Sequence, residues 1–340
     1  MKQLKMAADA ARSSTDWIVI AKGIGIILVV IGHYYPDMSP LYWSDIRIII
    51  YSFHMPLFFV LSGYLYIHGK YAYRELVKIK VRRLLYPFAS IAVGLCLVKY
   101  LAGHFVNLEN PVDGRSIIAV VTDPVKSYAP LLWFLQALFL IFCIYPLARL
   151  FLSDVLILLL FVILDEVFGS KYLVFGRAVA NIPFFAFGVI LRESPLLAKV
   201  PMGGGSRYLA VTLGMFVLGC VVQLSVSNAI ASDFIVQFVL GVVGTLLIVN
   251  VSHAIADLAD NGMRTVLLRT GYYSMTIYFF HSMFEGAARI SLLQISRYTP
   301  MPFLLMALAA VAAGVVIPMV LEKQLIRKSR IARKLVLGSD

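Results

Sequence analysis

A succession of apolar blocks, each roughly 18–22 residues long, runs along this chain with short polar stretches between them. A helix of that length crosses a hydrocarbon layer about 30 Å thick. The blocks fall near 17–37, 44–68, 84–104, 129–150, 153–169, 172–191, 207–226, 234–255, 272–291 and 301–321. The expected fold class is an all-α membrane protein, a bundle of about ten transmembrane helices. Composition points the same way: 61% of residues are hydrophobic and 14% charged, where an ordinary soluble domain carries about 25% charged residues. The period-two alternation of a membrane β-barrel is absent from the sequence.

Thirty Lys and Arg stand against eighteen Asp and Glu, a formal charge of +12. In a soluble chain that excess would suggest nucleic acid, but here the basic residues lie between apolar blocks, where they report orientation in the bilayer. Nucleic acid is therefore not expected as a partner; membrane lipids are. Lys2, Lys5 and Arg12 precede the first block, and Lys70, Arg74, Lys78, Lys80, Arg82 and Arg83 fill the connection between the second and third. Arg192, Lys199 and Arg207 follow the sixth block, Arg264 and Arg269 the eighth. Lys323, Arg327, Lys328, Arg330, Arg333 and Lys334 follow the last. With ten spans all of these share one side, so both termini are expected in the cytoplasm. The opposite loops, roughly 38–43, 105–128, 227–233 and 292–300, hold few basic residues.

The expected organisation is a cytoplasmic segment 1–16, a transmembrane domain 17–321 and a basic cytoplasmic tail 322–340. Residues 1–16 are polar and lack an apolar core or small-residue cleavage site, so the first span is expected to act as the insertion signal. Loop 105–128 is the place for a short interfacial helix, and Gly203-Gly204-Gly205 reads as a flexible turn. Cys96, Cys143 and Cys220 lie singly inside apolar blocks, as packing residues do, and no metal-ligand spacing is present. No metal is expected.

Ionisable side chains at membrane depth cost several kcal/mol and are functional candidates by default. Here they include Lys22, His33, His54, Asp165, Glu166, Arg177, His253, His281 and Glu285. Lys22 and His33 share the first span, eleven residues apart. Eleven steps make about three full turns and rise roughly 16 Å, so the two residues lie on nearly one face. A snorkelling lysine and an interfacial histidine would also satisfy this pattern.

The stretch from Asp16-Trp17 through Lys22-Gly23 to Gly32-His33 resembles the opening of acyltransferase-3 membrane proteins, particularly the fucose 4-O-acetylase-like branch. That family opens with Arg or Lys, ten residues, then a histidine held to be catalytic, which map onto Lys22 and His33. Phe58-Phe59-Val60-Leu61-Ser62-Gly63, preceded by His54-Met55-Pro56, is similar to its next signature. Lys80-x-x-Arg83, just before Pro87, resembles its paired basic motif. Further matches are Pro130-Leu131-Leu132-Trp133-Phe134-Leu135, Pro183-Phe184-Phe185-x-Phe187-Gly188 and Ser274-x-x-Ile277-Tyr278-Phe279-Phe280-His281. Two departures stand out. Val19 occupies a position where many relatives carry an acid, and Lys replaces Arg at 22 and 80, which leaves a point charge in place of a bidentate fork.

The resemblance implies a bacterial inner-membrane enzyme, an O-acetyltransferase that takes acetyl-CoA from the cytoplasm and modifies a glycan or polysaccharide acceptor. Lys80, Arg82, Arg83 and Lys22 would hold the donor's phosphates. His33 would act as general base, or carry the acyl group transiently. Glu285, one turn from His281 on the ninth span, is the candidate to orient the imidazole, or else it caps the outer helix end. Ser62, His54, Trp133 and His281 are candidates for the substrate pocket, with close helix packing the competing role for Ser62-Gly63 and aromatic packing for Trp133. Another acyl donor or a small-molecule acceptor would use the same machinery. A transporter or glycan flippase is the alternative of another class, although the polar residues concentrate in spans one, two and nine without the matching second half that many transporters show.

Overall fold

The structure is a computed structural model that describes residues 2–37, 39–104, 111–168, 173–194, 205–226, 234–258, 262–299 and 301–339. Among them every regular element is helical. In chain order these are α1 (Lys2–His33), α2 (Leu41–Tyr64), α3 (Tyr73–Lys80), α4 (Tyr86–Ala102), α5 (Gly114–Thr122), α6 (Trp133–Ala148) and α7 (Asp154–Phe168). They continue with α8 (Val174–Glu193), α9 (Ser206–Val226), α10 (Phe234–Ala256), α11 (Gly262–Tyr272), α12 (Ser274–Ser296) and α13 (Phe303–Leu321). A π turn, Val81–Leu85, joins α3 to α4, and the tail holds the short α14 (Arg330–Ala332) between two further π turns.

Eight of the described helices are long and apolar enough to cross a membrane. The other two expected spans correspond to α7 and α12. α7 has 15 residues, short of the roughly 20 that a spanning helix needs. α12 is long enough at 23 residues, but it carries His281, Glu285 and Arg289 and so falls below the apolarity of the rest. The chain is a multi-pass membrane protein. α2, α6, α8 and α13 each contain a proline, which spanning helices tolerate because neighbours satisfy the freed carbonyl. Large apolar side chains remain exposed along α4, α9 and α13, among them Val93, Leu97, Val217, Leu218, Leu305 and Leu308. In a bilayer such faces meet lipid at no cost.

Local chemistry sets several boundaries. Asp113 accepts from the Ser116 amide at 2.6 Å and Ser116 Oγ accepts in return, a capping box that starts α5 in the connection between α4 and α6. The chain breaks between α6 and α7 at Leu150–Ser153, where Arg149 pairs with Asp154 at 2.9 Å and the Tyr145 hydroxyl donates to the same carboxylate. Of the triple-glycine run, Gly203 and Gly204 lie outside the described residues.

The chain divides into two compact units: Met1–Leu61 with Glu193–Val320, and Ser62–Arg192 with Leu321–Asp340. In the first, α1 packs on α10, α11 and α12. A Cβ on Gly23 would stand 2.3 Å from the Leu267 carbonyl oxygen, and one on Gly271 only 1.9 Å from that of Val19. Glycine at both positions lets the α1 and α11 backbones touch, the small-residue mode of packing in membranes. Asp16 and Arg264 close the same end with an ion pair at 2.8 Å. In the second unit Tyr66, Phe142, Tyr145 and Phe185 form an aromatic core, with ring centroids 4.9–6.3 Å apart.

Candidate active site

His33 is the last residue of α1, so a rigid helix sets its position. Beyond it the chain is pinned by aromatic packing. Tyr34 and Trp43 are buried together with Ala307 and Ala310 of α13. The Trp43 indole donates to the Tyr34 carbonyl at 2.7 Å, and Phe303 lies 5.8 Å from Tyr34 and 5.2 Å from Trp43.

Four rings gather at this level of the first unit. The His33 ring lies 5.1 Å from that of His281, edge to face, and 5.8 Å from that of Tyr51. Tyr51 in turn lies 5.0 Å from His54. Each histidine directs Nδ1 at a carbonyl one turn back on its own helix: His33 at Val29 (2.8 Å), His54 at Ile50 (2.8 Å) and His281 at Ile277 (3.0 Å). A carbonyl can only accept, so Nδ1 carries the proton and each neutral ring keeps its lone pair on Nε2. His54 and His281 are buried, at 3% and 0% exposure, whereas His33 is only partly covered. His281 Nε2 has no hydrogen-bond partner among the described residues. An unsatisfied buried acceptor of this kind calls for a functional explanation.

The Val29 carbonyl thus fixes the His33 tautomer, the task for which Glu285 is the sequence candidate. Glu285 is buried one turn along α12 from His281, at 4% exposure. Gly314 of α13 makes room for it: a Cβ there would come within 3.0 Å of Glu285 Cβ, 2.9 Å of Val30 Cγ1 and 3.4 Å of the His281 carbonyl oxygen. Lys22 lies on α1, partly buried, with no ion pair among the described residues. Among the described residues no carboxylate pairs with Lys22 in place of the acid missing at Val19.

Two arginines that the sequence reading passed over flank the row. Arg47 Nε donates to the Gly32 carbonyl at 2.8 Å, and its guanidinium lies 3.9 Å over the Tyr35 ring. Arg289 donates to the Tyr35 carbonyl at 3.0 Å. Arg47 and Tyr51 also line a cavity of about 390 Å³. A usable signal existed for both cations, since each is a charged residue inside an expected apolar block.

The other candidates belong to the second unit. The Lys80 ammonium sits 3.4 Å over the Phe142 ring, a contact worth about 0.5–2 kcal/mol. Arg82 and Arg83 are exposed on the π turn, a local widening often found at functional sites. The tail passes beside them: a Cβ on Gly338, whose φ is +60°, would fall 2.6 Å from the Arg82 carbonyl oxygen. Ser90 Oγ donates to the Leu335 carbonyl. Ser62 is half-buried, and its neighbour Gly63 is pressed against the Phe185 carbonyl, 2.0 Å from where a Cβ would be. Trp133 is partly covered, with the Arg177 guanidinium 5.1 Å from its ring centre.

A family model described as an acyltransferase domain matches residues 15–323. The chain belongs to the acyltransferase-3 family. No curated protein and no solved structure matches it. As an acyltransferase-3 protein it is a membrane acyltransferase, and the family match takes in Lys22, His33, the Phe58–Gly63 stretch, Lys80, Arg83 and His281. The structure brings His33, His54, His281 and Glu285 into the same unit as Lys22, while Lys80, Arg82, Arg83, Ser62 and Trp133 fall in the other.

Proposed function

We propose that this acyltransferase-3 protein is a bacterial inner-membrane O-acetyltransferase, of the fucose 4-O-acetylase-like kind, that transfers an acetyl group from cytoplasmic acetyl-CoA to a hydroxyl of an envelope or exported glycan. Ten spans with both termini in the cytoplasm fit this reading, because the basic connections then face the donor. The observation that carries it is the His33 imidazole: partly accessible, held at the end of α1, with Nδ1–H committed to the Val29 carbonyl and Nε2 left as a base.

In the proposed reaction the acceptor hydroxyl gives its proton to His33 Nε2 as its oxygen attacks the thioester carbonyl. The tetrahedral adduct collapses, the carbon–sulfur bond breaks, and the proton passes from the imidazolium to the departing thiolate. The products are an O-acetyl ester and free CoA. His281, in edge contact with His33, offers its Nε2 as a further acceptor for the hydroxyl. Glu285, on α12 with His281, is the carboxylate proposed to steady the His33 imidazolium. Arg82 and Arg83 are proposed for the donor's phosphates, with Lys22 and Lys80 as further cations for the donor. His54, Ser62 and Trp133 remain proposed substrate contacts.

The test is NMR of envelope polysaccharides from cells with the intact gene, without it, and with His33→Ala. Acetyl signals present only with the intact protein support the reading. Acetyl signals unchanged in both altered strains sink it.

A further inference from the structure

The cavity beside the histidine row has no counterpart among the sequence motifs. Its volume, about 390 Å³, falls within the usual range of small-molecule sites. Ser44, Arg47, Tyr51 and Ser52 of α2 supply one wall, at spacings that share a single helical face. Gln223 of α9 and Gln237 of α10 complete a polar lining. Ser44, Gln223 and Gln237 make no side-chain hydrogen bond among the described residues, so their amide and hydroxyl groups remain open to a ligand. Such groups pair well with sugar hydroxyls.

Arg47 is the one charged residue among the described residues of this lining. Its Nε is spent on the Gly32 carbonyl and its face is stacked on Tyr35. These contacts fix the guanidinium without neutralising it, and among the described residues no carboxylate pairs with it. The remaining N–H donors of the fork match a planar oxyanion. An arginine inside an apolar helix is costly to keep unless it serves a cavity or a partner. Tyr51 joins this site to the base, since its ring lies 5.5 Å from the Arg47 guanidinium carbon and 5.8 Å from the His33 ring.

We propose that this cavity is the acceptor subsite and that the acceptor is an anionic glycan, whose carboxylate or phosphate is held by Arg47 while a hydroxyl reaches His33. This rests on the reading of His33 as the acyl-transfer base. Membranes bearing the full chain are supplied with radiolabelled acetyl-CoA and host envelope glycans, which are then separated by anion exchange. Label that depends on His33 should elute with the charged fraction, and carboxylate reduction or phosphatase treatment of the glycans beforehand tells which anion is read. Arg47→Gln should raise KM for the charged fraction about ten- to a hundredfold, the range of one charge-assisted pair, with kcat largely kept. Arg47→Lys, which keeps the charge but not the fork, should fall between. His33-dependent label confined to neutral glycans overturns the subsite and leaves the acyltransfer reading intact. The same holds if Arg47→Gln leaves KM unchanged or lowers kcat alone. Absence of any His33-dependent label overturns both.

Discussion

Replacing Gly314 by alanine tests whether the site depends on how closely α13 approaches α1 and α12. The added methyl would stand 2.9 Å from Val30 Cγ1 and 3.0 Å from Glu285 Cβ, against an ordinary carbon–carbon contact of about 3.5–4.0 Å. Neither neighbour yields easily. Valine in a helix holds essentially one rotamer, and a Cβ moves only with its backbone. The helices must therefore part by roughly half an ångström, and overpacking of that kind costs about 1–3 kcal/mol. Val30 lies three residues before His33 on α1, and Glu285 four beyond His281 on α12, so the shift enters the site from two sides. Misplacement by about 1 Å can cost a hundredfold in rate, so half of that predicts a loss of about tenfold. Purified Gly314→Ala protein should melt several degrees lower and turn over about a tenth as fast. Gly286→Ala is the matched control: it lies on α12 next to Glu285, a Cβ there meets nothing within 4 Å, and removing a helix glycine stabilises by about 0.5–1 kcal/mol. Wild-type melting and turnover in Gly314→Ala, or equal losses in both variants, would refute the reasoning.

His33→Ala should lower acyl transfer by about 10²–10⁴ with expression and helix content unchanged; retention of more than about a tenth of turnover would move catalysis elsewhere, with His281 the next residue to test. Lys22→Ala should impair donor binding more than chemistry, as read from separate KM and kcat values, and an inert variant would remove Lys22 from the site. Arg83→Ala should weaken acyl-CoA binding about tenfold, as one lost charge-assisted contact does. Lys80→Ala should also lose the packing on Phe142, so its melting temperature falls along with donor affinity. Unchanged donor affinity in both variants would end the phosphate-binding role. Glu75→Cys should react with a membrane-impermeant thiol reagent only in opened or inverted vesicles, and labelling of intact spheroplasts would reverse the topology.

Much of the helical plan was legible because bilayer thickness imposes a length on each apolar block, and that length survives in the sequence without any partner. A short helix between the third and fourth expected blocks was legible as well, from the length of that loop, and α5 is the helix found there. The status of α7 and α12 was harder to read, since α7 is strongly apolar but only 15 residues long, and α12 is long enough but carries His281, Glu285 and Arg289. Within the site, the Lys22–His33 spacing was readable because both residues share one helix. The convergence of His33, His54 and His281 was not, because it depends on how α1, α2 and α12 pack. Glycine contacts set that packing, and a sequence shows a glycine but not the backbone pressed against it. Arg47 was passed over although its charge was visible, since its position near a block's end looks the same for an interfacial anchor as for a cavity-lining cation.

The Nδ1 contacts of the three histidines are each made within a single helix, to a carbonyl four residues earlier and, for His281, also to that of Tyr278 three residues earlier. The protonation pattern of the ring is thereby written into the local segment and does not rely on a neighbour across the bundle. A designer who transplanted Val29–His33 onto an unrelated helical scaffold would carry the Nε2 lone pair along with it. Only the placement of the surrounding groups would have to be rebuilt.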